Sequence, residues 1–460
     1  MKFLNIKNPK ERVSFLQAVE QGVGSDGGLF VPENFPQFSP QDFIDDSFPA
    51  IAKKVLLPFV REDFDEFTLS AMIDRAFNFE IPLVPFLKNP ATYVPAAASL
   101  LQLYHGPTGA FKDIGARFIA EVLSAKSDKD NDKDKMILVA TSGDTGGAVA
   151  SAFFQKPHCR VVILFPLDGV SNLQKQQLTC WGQNIMSLGV KGSFDQCQAI
   201  VKTLLAENEL VKQWRLTSAN SINIARLLPQ ACYYAASSIW WWKSQITSNT
   251  KFQSASPFAD ERPKVDYIIP TGNMGNALGC IWARRMGFPI NKITLATNAN
   301  RVIPDYFITG QFNPQLSIPT LANAMDVGNP SNFARLQYHY PELASLESFC
   351  SSIAVSDEEI RSTIQRVARE FGFVICPHTA TAVAVALNKL HPFNGIIVST
   401  AHPGKFREVV EPLVSAEVPL PESLRQIFNV SPQFQVVSPK VESIKEIISQ
   451  QLFSVTGQSQ

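Results

Sequence analysis

The sequence predicts an α/β protein with two lobes built on parallel sheets, preceded by a mostly helical N-terminal region. Three observations predict it. From Leu100 to Val414, short apolar strand-like runs alternate with longer stretches of helical periodicity, the pattern of βαβ units. Several of these runs enter a glycine-rich turn and pass directly into a helix, as in Tyr267 to Ala277. The first part of the chain is rich in Phe and Pro and lacks such strand-to-glycine loops, which suggests a helical cap.

Taken in order, residues 1–95 form the N-terminal region. Residues 96–246 form a first αβ lobe, with candidate strands at Leu100–Tyr104, Met136–Ala140, Arg160–Phe165 and Asn184–Val190. Residues 264–418 form a second lobe, with strands at Val265–Ile269, Lys292–Ala296 and Gly395–Thr400, and the two lobes are expected to interleave in sequence. Lys126 to Lys135 alternates Lys and Asp and reads as a solvated loop. Thr247 to Lys264 reads as a linker between the lobes. The tail, residues 419–460, has weak periodicity and is expected to be loosely attached. Trp240-Trp241-Trp242 fits either a subunit interface or a helix end packed into its own core.

Charge and cysteine usage exclude several functions. Lys+Arg and Asp+Glu are both 41, so no overall field gathers nucleic acid or an anionic membrane, and any anion site must be local. The seven cysteines stand singly, without C-x-x-C or ligand-like spacing to histidine. This argues against a zinc site or a disulfide scaffold and suits a reducing cytoplasm. Lys7, Lys10, Glu11 and Arg12 stand where a signal peptide needs an apolar core. The apolar run Leu227 to Trp242 is 16 residues long and contains Pro229 and Gln230, too short and too polar to span a bilayer.

Four motifs carry chemistry. In Tyr104 to Phe118 a strand enters a Gly/Pro turn and a helix that opens with Lys112. A lysine there can attack a carbonyl once burial or a nearby cation lowers its pKa. Taken alone, it also fits the surface of an ordinary helix. Ile137 to Ala140 runs into Thr141-Ser142-Gly143-Asp144-Thr145-Gly146-Gly147, a geometry that brings backbone N–H groups and a helix dipole to an anion. Tyr267 to Pro270 runs into Thr271-Gly272-Asn273-Met274-Gly275-Asn276, whose amides can form a nest for phosphate. The fourth pairs Pro377-His378-Thr379-Ala380 with Ser399-Thr400-Ala401-His402-Pro403-Gly404-Lys405-Phe406.

Together these motifs resemble the long bacterial and fungal form of the threonine synthases, pyridoxal-phosphate (PLP) enzymes of fold type II, the tryptophan-synthase-β fold. Gly22-Val23-Gly24, Ser218 to Gln230 and Asn323 to Gly328 extend the likeness over roughly Met1 to Val414. The resemblance implies that Lys112 carries PLP as a Schiff base and that Gly272, Asn273, Met274, Gly275 and Asn276 hold its phosphate. It implies that Thr379 faces the ring nitrogen, and that Ser142, Gly143, Asp144 and Thr145 hold the substrate carboxylate. It also implies O-phospho-L-homoserine as substrate, in a monomer or homodimer with no nucleic-acid or membrane partner. Such a substrate needs a second anion pocket, for which Arg226, with Ser221, Asn223 and Lys405, is the choice, since a guanidinium fork matches phosphate. Gly109, Gly147 and Gly404 stand where the family often has larger residues, and Asn276 where it often has Asp. A dehydratase of the same fold, a catalytically dead binding protein, and a dinucleotide enzyme using Thr271 to Asn276 are the competing readings. The last lacks the acidic ribose ligand and the third glycine in register.

Overall fold

The computed structural model describes residues 1–86, 98–125, 134–141, 143–248 and 263–455. Its strands are β1 (Phe3–Asn5), β2 (Arg12–Val13), β3 (Phe30–Pro32), β4 (Leu83–Pro85), β5 (Ser99–Gln102), β6 (Lys135–Ala140), β7 (Cys159–Pro166), β8 (Ile185–Val190), β9 (Leu216–Ser218), β10 (Val265–Pro270), β11 (Ile290–Thr297), β12 (Cys350–Ala354), β13 (Gly395–Ser399) and β14 (Gln435–Val437).

Two parallel sheets organise the molecule. One runs β14-β8-β7-β6-β9, parallel throughout. The other runs β12-β11-β10-β13-β5-β4, with only β4 antiparallel to its neighbour. The stretch 96–246 therefore gives one strand, β5, to the sheet of the stretch 264–418. Strands such as β6, buried at every residue, are near-continuous apolar runs because helices cover both sheet faces.

The N-terminal region is mixed, not simply helical. The helices Phe15–Gln21, Phe48–Val60 and Glu66–Ala76 pack with a three-stranded antiparallel sheet, β2-β1-β3. Strands of two or three residues are too short to display a period of two, so the sequence pattern passes over them. Many of its phenylalanines, Phe3, Phe15, Phe30 and Phe59 among them, are fully buried in the main core.

The tail also departs from expectation. β14 pairs with β8, and the helix Val441–Val455 buries Ile444 and Ile448, one turn apart, against the core beneath that sheet. Lys445 Nζ reaches Glu207 Oε2 at 2.6 Å. The tail is thus docked. Trp241 and Trp242 are buried in the main core, and Trp240 Nε1 donates to the Asp46 carbonyl at 2.7 Å, so this helix end packs against the chain's own N-terminal region. Most of the expected loop 126–135 and linker 247–264 lies outside the described residues.

Candidate active site

A cavity of about 550 Å³ opens at the carboxyl ends of β6, β9, β10 and β13, where ligands collect in parallel α/β sheets. Lys112, Asp144, Thr145, Ser221, Arg226 and the loop Gly272–Asn276 all line it.

Lys112 begins the helix Lys112–Ala125. The turn before it is closed by Asp113, whose two carboxylate oxygens accept from Thr108 N at 2.9 Å and Thr108 Oγ1 at 2.7 Å. The turn is stitched to the opposite wall, because Phe111 N donates to the Thr400 carbonyl and His402 N to the Gly109 carbonyl, each at 2.9 Å. Burial pushes the Lys112 amine below the ordinary lysine range; Asp144 pulls it back, while Lys405 and Arg226 add to the lowering.

Asp144 opens the helix Asp144–Phe153. Thr141 Oγ1 fixes the preceding loop by accepting from Gly143 N at 3.0 Å and Gly146 N at 2.8 Å. Asp144 Oδ1 meets Lys405 Nζ at 2.9 Å, and Oδ2 meets Lys112 Nζ at 3.7 Å. Burial alone would raise this carboxyl, but Lys405 and Lys112 hold it well below the usual carboxylate range. Ser142 lies outside the described residues, and Gly143 is buried and not among the residues that line the cavity.

The loop Gly272–Asn276 leads into the helix Gly275–Arg285, whose first N–H groups have no partner within the helix. A Cβ at Gly272 would stand 2.8 Å from Met325 Cα, so only glycine admits the neighbouring loop here. Met274 adopts a left-handed φ of 62°, a costly conformation that collects at ligand clamps. The Asn273 side chain is used internally: Nδ2 donates to Ser221 Oγ and Oδ1 accepts from Ser331 N, both at 2.5 Å. Tyr233 and Tyr234 donate to Asn276 Oδ1 at 2.5 and 2.7 Å, which leaves Asn276 Nδ2 buried without a partner.

Arg226 sits on the short helix Ile224–Leu227, which Asn223 caps. It is 4% exposed. Its Nη1 donates to the Ala219 carbonyl at 2.6 Å, its Nε has no partner, and among the described residues it makes no ion pair. Burial lowers this guanidinium to about 10, with Asp113 opposing.

Three expected ligands are placed otherwise. Asn223 points inward but caps the short helix, donating to the Val19 and Ser218 carbonyls at 2.8 and 2.9 Å and accepting from Ala225 N. Lys405 is fully buried behind the wall, its Nζ held by Asp144 and, at 2.9 Å, by the Thr108 carbonyl. Thr379 is buried too, with Oγ1 2.9 Å from Ser399 Oγ, and its neighbour His378 reaches the cavity instead. His378 Nε2 accepts from Ala324 N at 3.1 Å, its Nδ1 is unpaired, and burial holds the ring at about 3.

The sequence reading did not assign Asn220, Gln230, His378, or the wall from Ala324 to Gly328. All of them lay inside quoted motifs, so a signal was present. Phe194, Asp195 and Gln198, on the far wall, carry no recognisable pattern.

The chain matches the family described as pyridoxal-phosphate dependent enzyme over residues 99–400, the threonine synthase N terminus over 2–77, and the threonine synthase C-terminal region over 379–448. It is 36% identical to the threonine synthase of Serratia marcescens over 92% of this chain and 93% of that protein, and 36% identical to the Escherichia coli enzyme over 93% and 94%. It superposes on the crystal structure of threonine synthase from Escherichia coli with a TM-score of 0.82 at 33% identity, covering 98% and 100% of the two chains. With the PLP-bound threonine synthase from Brucella melitensis the TM-score is 0.85 at 28% identity, covering 98% and 99%. The chain belongs to the threonine synthase family of PLP-dependent fold type II enzymes.

Proposed function

We propose that this enzyme converts O-phospho-L-homoserine and water into L-threonine and inorganic phosphate, in the cytoplasm, as a monomer or homodimer. The phosphate leaves Cγ with the C–O bonding pair as Cβ gives up a proton, and water then supplies the hydroxyl at Cβ while a proton returned to Cγ completes the methyl group. Arg226 carries the reading: it is a buried cation on the cavity wall with an unpaired Nε and no carboxylate partner among the described residues. An uncompensated buried charge is costly, so such a group suits an anionic ligand. All seven cysteines are buried and free, and among the described residues no helix is long and apolar enough to cross a membrane.

The residues present fit PLP. Lys112 would hold the cofactor through its amine, and the amides of Gly272 to Asn276 with the unpaired Asn276 Nδ2 would take its phosphate. When bound, the cofactor supplies an electron sink for charge developing at the substrate Cα. Lys112, once displaced, is the base that moves the proton at Cα, and burial lowers its pKa in the direction a base requires. The segment Ser142 to Thr145 would orient the substrate carboxylate at a helix start. Ser221 and Arg226 line the wall where the substrate phosphate would lie, and as a leaving group that phosphate gains negative charge when the bond breaks.

Product analysis tests the reading. Incubation of the PLP-loaded protein with O-phospho-L-homoserine should yield threonine and phosphate in equal amounts. Formation of a 2-oxo acid in place of threonine would instead favour the dehydratase alternative.

A further inference from the structure

Asp144 is a buried carboxylate shared by two lysines of different situation. Lys112 faces the cavity at 3.7 Å, with its side chain 17% exposed. Lys405 sits behind the wall at 2.9 Å, with its side chain wholly buried. The Thr108 carbonyl receives Lys405 Nζ at 2.9 Å and Gln177 Nε2 at 3.0 Å, so the ammonium is anchored to the turn that precedes Lys112. Gln174 Nε2 approaches the same Asp144 oxygen at 3.4 Å.

We propose that Lys405 is a positioning residue, the permanent counter-ion of Asp144, which fixes this carboxylate and offsets its charge at Lys112 without touching substrate or cofactor. The inference rests on the reading of Lys112 as the cofactor lysine. Two needs of the site converge on it. A lysine that joins and leaves a cofactor cannot be the sole partner of a buried carboxylate, because each departure would strand an unpaired charge. The substrate carboxylate, expected at the same helix start, would also be repelled by a bare Asp144. Lys405 answers both, and its anchor on Thr108 fixes the carboxylate relative to Lys112. The other charged groups around Lys112 are Arg226 on the facing helix, Asp113 on its own helix, and Asp195 and Asp326 across the cavity, while burial keeps His378 uncharged.

The test is the pH titration of the cofactor's visible absorbance in the holoenzyme, which reports the protonation of the nitrogen that Lys112 contributes. Lys405→Gln should raise that pKa by about one unit or more, and Lys405→Arg should leave it near wild type. Asp144→Asn should lower it, and adding Lys405→Gln in that background should raise it again. This second pair removes both members of the buried ion pair together, so it decides the matter if Lys405→Gln alone fails to fold. A titration that moves in neither pair overturns the proposal. Borohydride reduction followed by peptide mapping separately checks the cofactor lysine. Label on another lysine would overturn the Lys112 reading whatever the titrations show.

Discussion

A Cβ placed on Gly115 would stand 2.6 Å from the carbonyl oxygen of Arg226 and 3.0 Å from its Nε. The helix that opens with Lys112 and the short helix that carries Arg226 therefore meet backbone to backbone. That contact sets the distance between the proposed cofactor lysine and the proposed phosphate anchor. Gly115→Ala must push the two apart, since backbone cannot swing aside as a side-chain tip can. Its kcat/KM for O-phospho-L-homoserine should fall about tenfold, or ~1.4 kcal/mol, with PLP affinity nearly unchanged. Unaltered kinetics in a folded Gly115→Ala protein would mean that the spacing is not critical.

Gly275 offers a cleaner probe of the cofactor phosphate than Gly272. The nearest atoms to a Cβ there, Asn332 Nδ2 and Gln230 Nε2, are both 3.6 Å away, so the protein itself tolerates a side chain. Gly275→Val should fold, yet its branches would crowd the amides proposed to hold the phosphate. PLP affinity, measured by equilibrium dialysis, should fall at least about tenfold. Wild-type affinity would place the phosphate elsewhere.

Asp326 gives a pH signature. Burial raises its carboxyl to about 6, with Thr320 and Asn298 hydrogen bonds opposing and Asp357 adding to the rise. It ties the cavity loop together, accepting from Thr320 Oγ1 and Asn298 Nδ2 at 2.7 Å each. The folded pKa lies above the unfolded value of 3.8, so the folded state binds this proton more tightly. Its contribution is present below the unfolded pKa and lost as pH rises through the folded one. The thermal midpoint of Asp326→Asn relative to wild type should therefore improve as pH climbs from about 4 to about 7. A difference that stays constant across that range would show that Asp326 titrates normally.

Much of this was legible in the sequence for identifiable reasons. Long parallel strands such as β7 and β11 sit in apolar runs, and the loops at Lys112, Asp144 and Gly272 follow directly on strands or strand-like runs. What stayed hidden depends on contacts distant in sequence. The burial of Lys405 against Asp144 joins residues far apart in the chain, and its motif alone reads equally well as a substrate ligand. Asn223 looked like a ligand because a helix cap and a ligand use the same side chain. Strands β1 to β3 were too short to show a period, and Ile444 and Ile448 made too brief a stripe to reveal a docked tail helix.

The most direct measurement compares Arg226→Ala with wild type on two substrates, O-phospho-L-homoserine and a slow phosphate-free amino acid such as threonine or serine. The account predicts that kcat/KM for the phosphorylated substrate falls at least about a hundredfold, or ~2.7 kcal/mol, with PLP still bound and the phosphate-free reaction changed far less. An equal fall in both reactions, or no fall in either, would contradict the assignment of Arg226 as the anchor of the leaving phosphate.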